Sequence, residues 1–309
     1  MNCKMGYALG LLTLGLLSCN EGGVAGDLNE DSSSSIQTPR SSGSNTSSSG
    51  TSNPLPEVNG DLIINHHHTD LSEIPVSWIE EAKDQLVIAY GHTSHGSQLT
   101  AGLVGLYDWK GSPYEVNVYT DNGGLQIQDA PFQTANDLGA PDFTAWVGAT
   151  RSYLDAHAEV NVVMWSWCGQ VSWASEENIH GYLDSMSALE EVYPDVKFVL
   201  MTGHLDGTGK TGALTRNNEI IRAFAKANDK ILYDFADIES YDPDGNEFMS
   251  RNANDNCDYD GGNWCSDWQA SHPGEWYQMD AAHSQPLNGN LKAYAAWHLF
   301  ARLAGWDGN

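Results

Sequence analysis

The amino-acid sequence predicts an α/β protein built on a parallel sheet, with helices on both faces. Two patterns carry this prediction: short apolar runs typical of buried strands, and segments of helical spacing that alternate with them. Continuous apolar runs suit strands that helices cover on both faces. In such sheets the binding site lies at the carboxyl ends of the strands. Side chains that directly follow a strand are therefore the first candidates for function.

The predicted elements succeed one another over most of the chain. The predicted strands are residues 86–90, 114–119, 160–165, 196–201 and 231–235. The predicted helices are residues 98–107, 142–157, 179–192, 215–228 and 291–303. Ser94, Gln170 and His204 each follow a predicted strand, so we expect them at one edge of the sheet. The non-periodic stretch 241–279 is interpreted as a loop insertion on this core.

The first 18 residues are interpreted as a lipoprotein signal peptide. Residues 7–17 form an apolar run too short to span a bilayer as a mature helix. The run ends in Leu16-Leu17-Ser18-Cys19, which resembles a bacterial lipobox, so Cys19 is the predicted lipidation site. An ordinary secretory signal is the alternative. We expect an exported bacterial lipoprotein, at the outer membrane or cell surface if the source is Gram-negative, with the lipid as its only membrane contact.

Residues 19–70 are interpreted as a flexible, serine-rich tether. From 31 to 52, 11 of 22 residues are serine, and such a segment buries too little apolar surface to offset its ordering entropy. The folded domain is then expected to span residues 71–309, with the insertion at 241–279.

The charge of the chain restricts its partners. With 41 acidic and 14 basic residues, the formal net charge is -27. This field repels nucleic acid and other polyanions and favours a neutral or sparsely charged substrate. Eleven tryptophans are compatible with stacking on sugar rings. A polysaccharide or glycoside is therefore the expected partner, and no nucleic acid and no cofactor are expected.

Two cysteines in the insertion, Cys257 and Cys265, are predicted to form a disulfide that closes a short loop in an exported protein. A zinc site is the alternative, but it requires more ligands than are obvious here. The insertion also begins like a calcium loop at Asp242. An EF-hand would close with Glu at position 253, where this chain has Ala253, so only looser calcium coordination by nearby aspartates stays open.

A serine and a late Asp-x-x-His carry the predicted chemistry. Ser94 stands among glycines between a strand and a helix, where serine hydrolases place a nucleophile. Asp280-Ala-Ala-His283 precedes the closing helix, and a carboxylate three residues before a histidine can reach its ring. His283 is the predicted base for Ser94, and Asp280 is expected to orient it. Helix capping is the alternative role, for which Thr93 and Ser97 compete.

In this arrangement the chain resembles the SGNH (GDSL-like) hydrolase superfamily, motif by motif over residues 80 to 309. Gly91-His-Thr-Ser94 stands for the first block, with its usual Asp replaced and one residue added. Gly139, or alternatively Gly123 or Gly124, stands for the second. The third falls at residues 165–170 without its asparagine, and Gln170 is the nearest amide. The resemblance implies a flavodoxin-like three-layer α/β/α sandwich with about five parallel strands, and esterase or lipase activity.

Further site residues follow from the same comparison. The backbone N–H of Ser94, Gly139 and the Gln170 side chain are the predicted oxyanion donors. His92, His95, His204 and Trp167 are expected to contact substrate. A three-histidine metal centre is the rival interpretation, but the spacing of these histidines fits no familiar motif, and no metal is predicted.

The expected function is that of a serine esterase that removes acyl groups, most simply acetyl, from a polysaccharide or glycoside at the cell surface. A general carboxylesterase or lipase is one alternative. The other is a non-catalytic carbohydrate-binding lipoprotein on a degenerate hydrolase fold, which the missing asparagine of the third block favours.

Overall fold

The computed structural model describes residues 54–58, 60 and 62–309. The signal peptide, Cys19 and the serine-rich part of the tether lie outside the described residues. Within the described part, no helix has both the length and the apolar character needed to cross a membrane.

The folded part of the chain alternates strands with helices. The strands are β1 (Leu62–Ile64), β2 (Val87–Gly91), β3 (Val116–Asn117), β4 (Leu125–Asp129), β5 (Val162–Trp165), β6 (Lys197–Met201), β7 (Ile231–Tyr233), β8 (Asp258–Tyr259) and β9 (Gly262–Asn263). The helices are α1 (Val76–Gln85), α2 (Ser97–Lys110), α3 (Ala145–Leu154), α4 (Glu176–Val192), α5 (Ala213–Ala227), α6 (Phe235–Ile238), α7 (Trp264–Ser271) and α8 (Pro286–Leu303).

Strands β1 to β7 form one parallel sheet in the order β1-β7-β6-β5-β2-β4-β3. The prediction of an α/β protein with a parallel sheet is confirmed, but the sheet has seven strands rather than about five. The two strands absent from the prediction are β1, which has three residues, and β4. In β4 the side chains of Leu125 and Ile127 are buried while Gln126 is exposed, so only one face of this strand is apolar.

The folded part begins earlier than residue 71. Strand β1 pairs with β7 in parallel, with Leu62 opposite Ile231 and Ile64 opposite Tyr233. Leu62 and Ile64 are buried in the core. The predicted tether of residues 19–70 therefore extends too far, because its last residues include an edge strand of the sheet.

Helices cover the sheet in two groups. Helix α8 contacts α1 and α2, whereas α4 contacts α3 and α5. Helix α8 starts with Pro286 in its first turn, where the missing N–H of proline costs nothing. Nearly all of its side chains are buried, including the charged Lys292, so α8 belongs to the core rather than to the surface.

The insertion at 241–279 has structure of its own. It contains the antiparallel hairpin β8–β9 and helix α7, which contacts α8. Cys257 and Cys265 are joined by a disulfide across this hairpin. The insertion is thereby fastened to the core and carries a short segment, residues 254–256, to the carboxyl edge of the sheet.

Candidate functional site

The site lies where β2 and β5 end side by side. Strand β4 pairs with β2 on one side and β5 pairs with it on the other, so the chain order reverses at this point. In doubly wound sheets this reversal opens a crevice for ligands. Gly91 allows the two strand ends to approach, because a Cβ there would lie 2.2 Å from Cε3 of Trp165. The loops after β2 and β5 consequently meet.

Three side chains from separate segments form a hydrogen-bonded line in this crevice. His95 Nδ1 lies 3.2 Å from Cys168 Sγ, and His95 Nε2 lies 2.9 Å from Asp255 Oδ2. His95 follows β2, Cys168 follows β5, and Asp255 belongs to the insertion. A thiol, an imidazole and a carboxylate in this order match the nucleophile, base and orienting group of hydrolases that act through a covalent intermediate.

The electrostatics of this line favour an ion pair. The hydrogen bond from His95 is the main cause that lowers the pKa of the Cys168 thiol to about 7. Burial opposes the charged form of His95, but hydrogen bonds to Asp255 and Cys168 outweigh it and raise the pKa of His95 to about 9. Between these values a thiolate faces an imidazolium. The thiolate is the reactive form of cysteine, so Cys168 is activated at neutral pH.

Two more histidines cover the faces of the His95 ring. The ring of His204 stacks on it with centroids 3.7 Å apart and planes inclined by 3°, and that of His283 stacks at 4.4 Å and 17°. One face of a ring has room for one parallel neighbour, so His95 lies between them. Burial lowers the pKa of His204, which favours its neutral form. A neutral ring on an imidazolium stabilises the positive charge through its π electrons.

The insertion holds Asp255 through its backbone. Its N–H donates to Leu205 O at 3.0 Å, and its carbonyl accepts from Ser284 Oγ at 2.5 Å and from Asn288 Nδ2 at 3.0 Å. These bonds join the insertion to the loop after β6 and to the segment before α8. Asp255 therefore depends on three parts of the chain for its position.

The predicted nucleophile and base lie in the same cluster but do not contact each other through a hydrogen bond. Ser94 Oγ lies 3.8 Å from Cys168 Sγ, and within the described residues it bonds to no histidine. His283 is exposed, with a positive φ of 62°, and among the described residues its ring makes no hydrogen bond. Asp280 is also exposed and makes no hydrogen bond to His283. Ser94, His95, His204 and His283 are thus brought together, and Asp280 is not paired.

Asp137 occupies two of the predicted oxyanion donors. Its Oδ1 accepts from the Gly139 N–H at 2.9 Å and from Gln170 Nε2 at 3.0 Å. Gln170 Oε1 in turn accepts the Cys168 N–H at 2.9 Å. Gly139 is required for packing, because a Cβ there would lie 2.5 Å from Gln170 Cγ. Gly139 and Gln170 therefore support the Cys168 loop, with the Gly139 N–H and one of the two Gln170 N–H donors engaged by Asp137.

Other backbone donors remain available beside the thiol. Within the described residues, the N–H groups of Ser94 and His95 donate to no protein acceptor. Both precede the first turn of α2, where the helix dipole favours negative charge. The prediction for the Ser94 N–H as an oxyanion donor fits this geometry, and His95 adds a second N–H.

Of the other residues predicted to contact substrate, His92 lines a cavity and Trp167 lies in the core. A cavity of about 240 Å³ opens beside Thr93, with His92, Phe132, Thr134 and Asn136 in its lining. His92 Nε2 lies 2.8 Å from Asp129 Oδ1. Trp167, in contrast, is 2% exposed and its indole donates to Met201 O at 3.1 Å. The ring of Trp167 belongs to the core, which does not favour the expectation that it contacts substrate.

His95, His204 and Asp255 each offer a ligand atom within 4.8 Å of the others, and no other such group occurs in the described part. The stacking of the two rings disfavours chelation. The lone pairs of an imidazole lie in its plane, and these two planes are inclined by only 3°, with the ring centroids 3.7 Å apart. One ion cannot lie about 2 Å from nitrogens of both rings along both lone pairs. The arrangement suits an imidazolium stacked on a neutral ring.

Two central residues have no role in the sequence prediction. Cys168 was available as a lone cysteine directly after a buried strand, two positions before Gln170. Asp255 is one of the aspartates of the insertion for which the sequence leaves loose calcium coordination open. Its partner His95 is 160 positions away, and no spacing links them. No protein-family model matches the chain, and no curated protein matches it.

Proposed function

We propose that this protein is an acyl-ester hydrolase in which Cys168 is the nucleophile, His95 its base and Asp255 the residue that orients His95. The observation that carries this proposal is the hydrogen-bonded line from the Cys168 thiol through His95 to Asp255. The thiol is partly exposed at the chain reversal of the sheet, and a cavity lined by Thr93 opens on the same loop after β2.

The mechanism follows from the charges of this line. The Cys168 thiolate attacks the ester carbonyl carbon, and the oxygen that becomes negative faces the N–H groups of Ser94 and His95. One such donor is worth about 3 kcal/mol of barrier in related chemistry. The His95 imidazolium gives its proton to the leaving alcohol, and a thioester remains on Cys168. Neutral His95 then takes a proton from water, whose oxygen attacks the thioester carbonyl. The C–S bond breaks, the acid leaves, and the Cys168 thiolate and the His95 imidazolium are restored.

We further propose that the fold is of the flavodoxin-like, SGNH hydrolase type. Counted along the chain, the strands β2, β4, β5, β6 and β7 have the spatial order 2-1-3-4-5, which supports a flavodoxin-like core. Ser94 after β2 and Asp280-x-x-His283 before the last helix support the SGNH resemblance. Strands β1 and β3 would then be additions at the two edges.

A serine esterase with Ser94, His283 and Asp280 is the second candidate. It is favoured by the position of Ser94 Oγ, 3.8 Å from Cys168 Sγ, and by the stacking of His283 on His95. This mechanism requires His283 to leave its stacked position and bond to Ser94. The cysteine mechanism requires no such movement, so the geometry supports it better.

For the substrate we propose an acylated, most simply acetylated, polysaccharide or glycoside at the cell surface, where a lipid anchor would hold the protein. The net charge of -27 favours a neutral substrate. The cavity beside Thr93 combines an aromatic ring, Phe132, with the polar side chains of Gln133, Thr134 and Asn136. Such a lining suits a hydroxylated ring better than a long alkyl chain.

Labelling and turnover test the proposal together. The protein is treated with iodoacetamide, which alkylates thiolates, and with a fluorophosphonate, which labels activated serines, and is assayed on acetylated xylan and on a long-chain nitrophenyl ester. We expect the protein to hydrolyse acetylated xylan and alkylation by iodoacetamide to abolish this activity. We also expect Cys168→Ser to prevent the alkylation. Fluorophosphonate labelling lost in Ser94→Ala supports the serine candidate instead. Preference for the long-chain ester rejects the sugar substrate, and no labelling and no turnover favour a binding protein.

A further inference from the structure

Helix α8 buries a charged side chain completely. Lys292 is 0% exposed, and its ammonium donates to Glu239 Oε1 at 2.6 Å and to Gln98 Oε1. Glu239 and Gln98 are also fully buried. The ammonium further lies 4.1 Å from the centroid of the Phe235 ring. A buried ion pair is expensive to desolvate and adds little net stability compared with apolar packing. A gain in net stability is therefore a weak explanation for its presence in the core.

One branch of this network reaches the loop after β6. Glu239 Oε2 accepts the Leu205 N–H at 2.8 Å. The Leu205 carbonyl accepts from His204 Nδ1 at 2.9 Å and from the Asp255 N–H at 3.0 Å. The backbone of Leu205 is therefore held by Glu239 through its N–H, and through its carbonyl it holds His204 and Asp255.

The second branch reaches the segment before α8. Gln98 Nε2 donates to Ala282 O at 2.5 Å, and Ala282 directly precedes His283. Gln98 lies on the first turn of α2, and its own N–H donates to the His95 carbonyl at 3.2 Å. This branch thus connects the backbone of His95 with the segment whose ring stacks on it.

We infer that Lys292 is the positioning residue of the site: through Glu239 it fixes His204 and Asp255, and through Gln98 it fixes His283. Lys292 touches none of the reacting groups and acts through its two partners. The inference rests on the proposed role of Cys168, His95 and Asp255. The inference also explains the buried charge. One ammonium has several N–H donors, so it can hold acceptors from two different segments at fixed positions relative to each other.

The test measures the reactivity of Cys168 and not ester hydrolysis. The rate of alkylation by iodoacetamide is measured against pH in the wild type, in Lys292→Met and in Lys292→Met/Glu239→Met. Without its anchor, Asp255 orients His95 less well, and the thiol returns towards the value of a free cysteine. We expect the midpoint of alkylation to rise from about 7 towards about 8.5, and the rate at pH 7 to fall about ten-fold.

The double variant separates position from stability. Replacing both ions with apolar side chains removes the unpaired buried charge, so its melting temperature is expected to recover relative to Lys292→Met while the raised midpoint persists. Arg222→Met is the matched control, since Arg222 forms a largely buried pair with Asp234 at 2.6 Å away from the thiol. It is expected to melt earlier with the midpoint unchanged.

A third variant tests the branches. Gln98→Leu removes the side-chain bonds to both Lys292 and Ala282 but leaves the Glu239 branch to Leu205, so the alkylation midpoint should rise less than in Lys292→Met. If a folded Lys292→Met/Glu239→Met variant alkylates with the wild-type midpoint, Lys292 does not position the site. A wild-type protein that is alkylated with a midpoint near 7 but hydrolyses no ester would defeat the proposed function and leave this inference standing.

Discussion

Two combinations of a histidine with an aspartate contribute a ring to the same cluster, and they differ in almost every physical respect. His95 and Asp255 are 160 positions apart, yet their side chains meet at 2.9 Å in a largely buried line. Asp280 and His283 are three positions apart, yet both are exposed and, among the described residues, unbonded to each other. The shorter spacing guarantees reach but not burial. Hydrogen bonds gain strength where water is excluded, so the distant pair is the better catalytic unit.

The largest expected effect is at the thiol. Cys168→Ala removes the proposed nucleophile and should lower kcat/KM on the ester by at least about 10³-fold. Ser94→Ala keeps the thiolate and its backbone donors, so we expect a loss below about ten-fold. Steady-state hydrolysis by the two variants, each checked by circular dichroism, measures the difference. The reverse order of losses would assign the reaction to Ser94.

The next largest effect is expected when the aspartate of each pair is replaced by asparagine. Asp255→Asn removes the charge that stabilises the His95 imidazolium and should lower kcat/KM about 10²-fold, which is the lower range for a general acid–base contribution. Asp280→Asn is the matched control at the exposed pair and should change kcat/KM by less than about three-fold. Equal losses in both variants would contradict the distinction between buried and exposed pairs.

The pH dependence should show the titration of the buried line. The thiolate is required for attack, so kcat/KM should fall about ten-fold for each pH unit below the Cys168 pKa of about 7. The imidazolium is required to protonate the leaving alcohol, so activity should also fall above the His95 pKa of about 9. A plateau between these limits, measured with an activated and an unactivated ester, is the expected profile. A single rise with no decline up to pH 10 would exclude the imidazolium as the acid.

A smaller effect is expected from the disulfide of the insertion. Cys257 follows Asp255 by two positions, and its bond to Cys265 closes a loop with a separation of 8 residues. Cys257→Ala/Cys265→Ala should remove about 2–3 kcal/mol of stability. Because Asp255 keeps its own hydrogen bonds to Leu205, Ser284 and Asn288, we expect only about a three- to ten-fold loss of kcat/KM. Chemical denaturation of this variant measures the loss of stability, and steady-state kinetics measure the loss of kcat/KM. Wild-type protein with its disulfide reduced is the matched control.

The fold followed from the sequence more completely than the site. Five apolar or alternating runs correspond to strands, and the serine after β2 lies at the carboxyl edge as expected. Strand β1 was missed because three residues beside a low-complexity tether give no periodic signal, and β4 because only Leu125 and Ile127 are buried. The site depends on tertiary contacts, and no local pattern could bring Asp255 from the insertion to His95.

The smallest expected effect is at the exposed ring of His283. It covers one face of His95 at 4.4 Å without a hydrogen bond of its own among the described residues, so its contribution is a stacking interaction at a water-exposed surface. Such contacts are worth about 0.5–1 kcal/mol, which corresponds to a two- to five-fold effect on kcat/KM in His283→Ala. His283→Phe keeps a flat ring without a base and should restore most of the loss, as measured by hydrolysis at pH 8. If Phe fails to restore activity and the loss in His283→Ala exceeds about a hundred-fold, His283 acts as a base, and the exposed pair rather than the buried one drives the reaction.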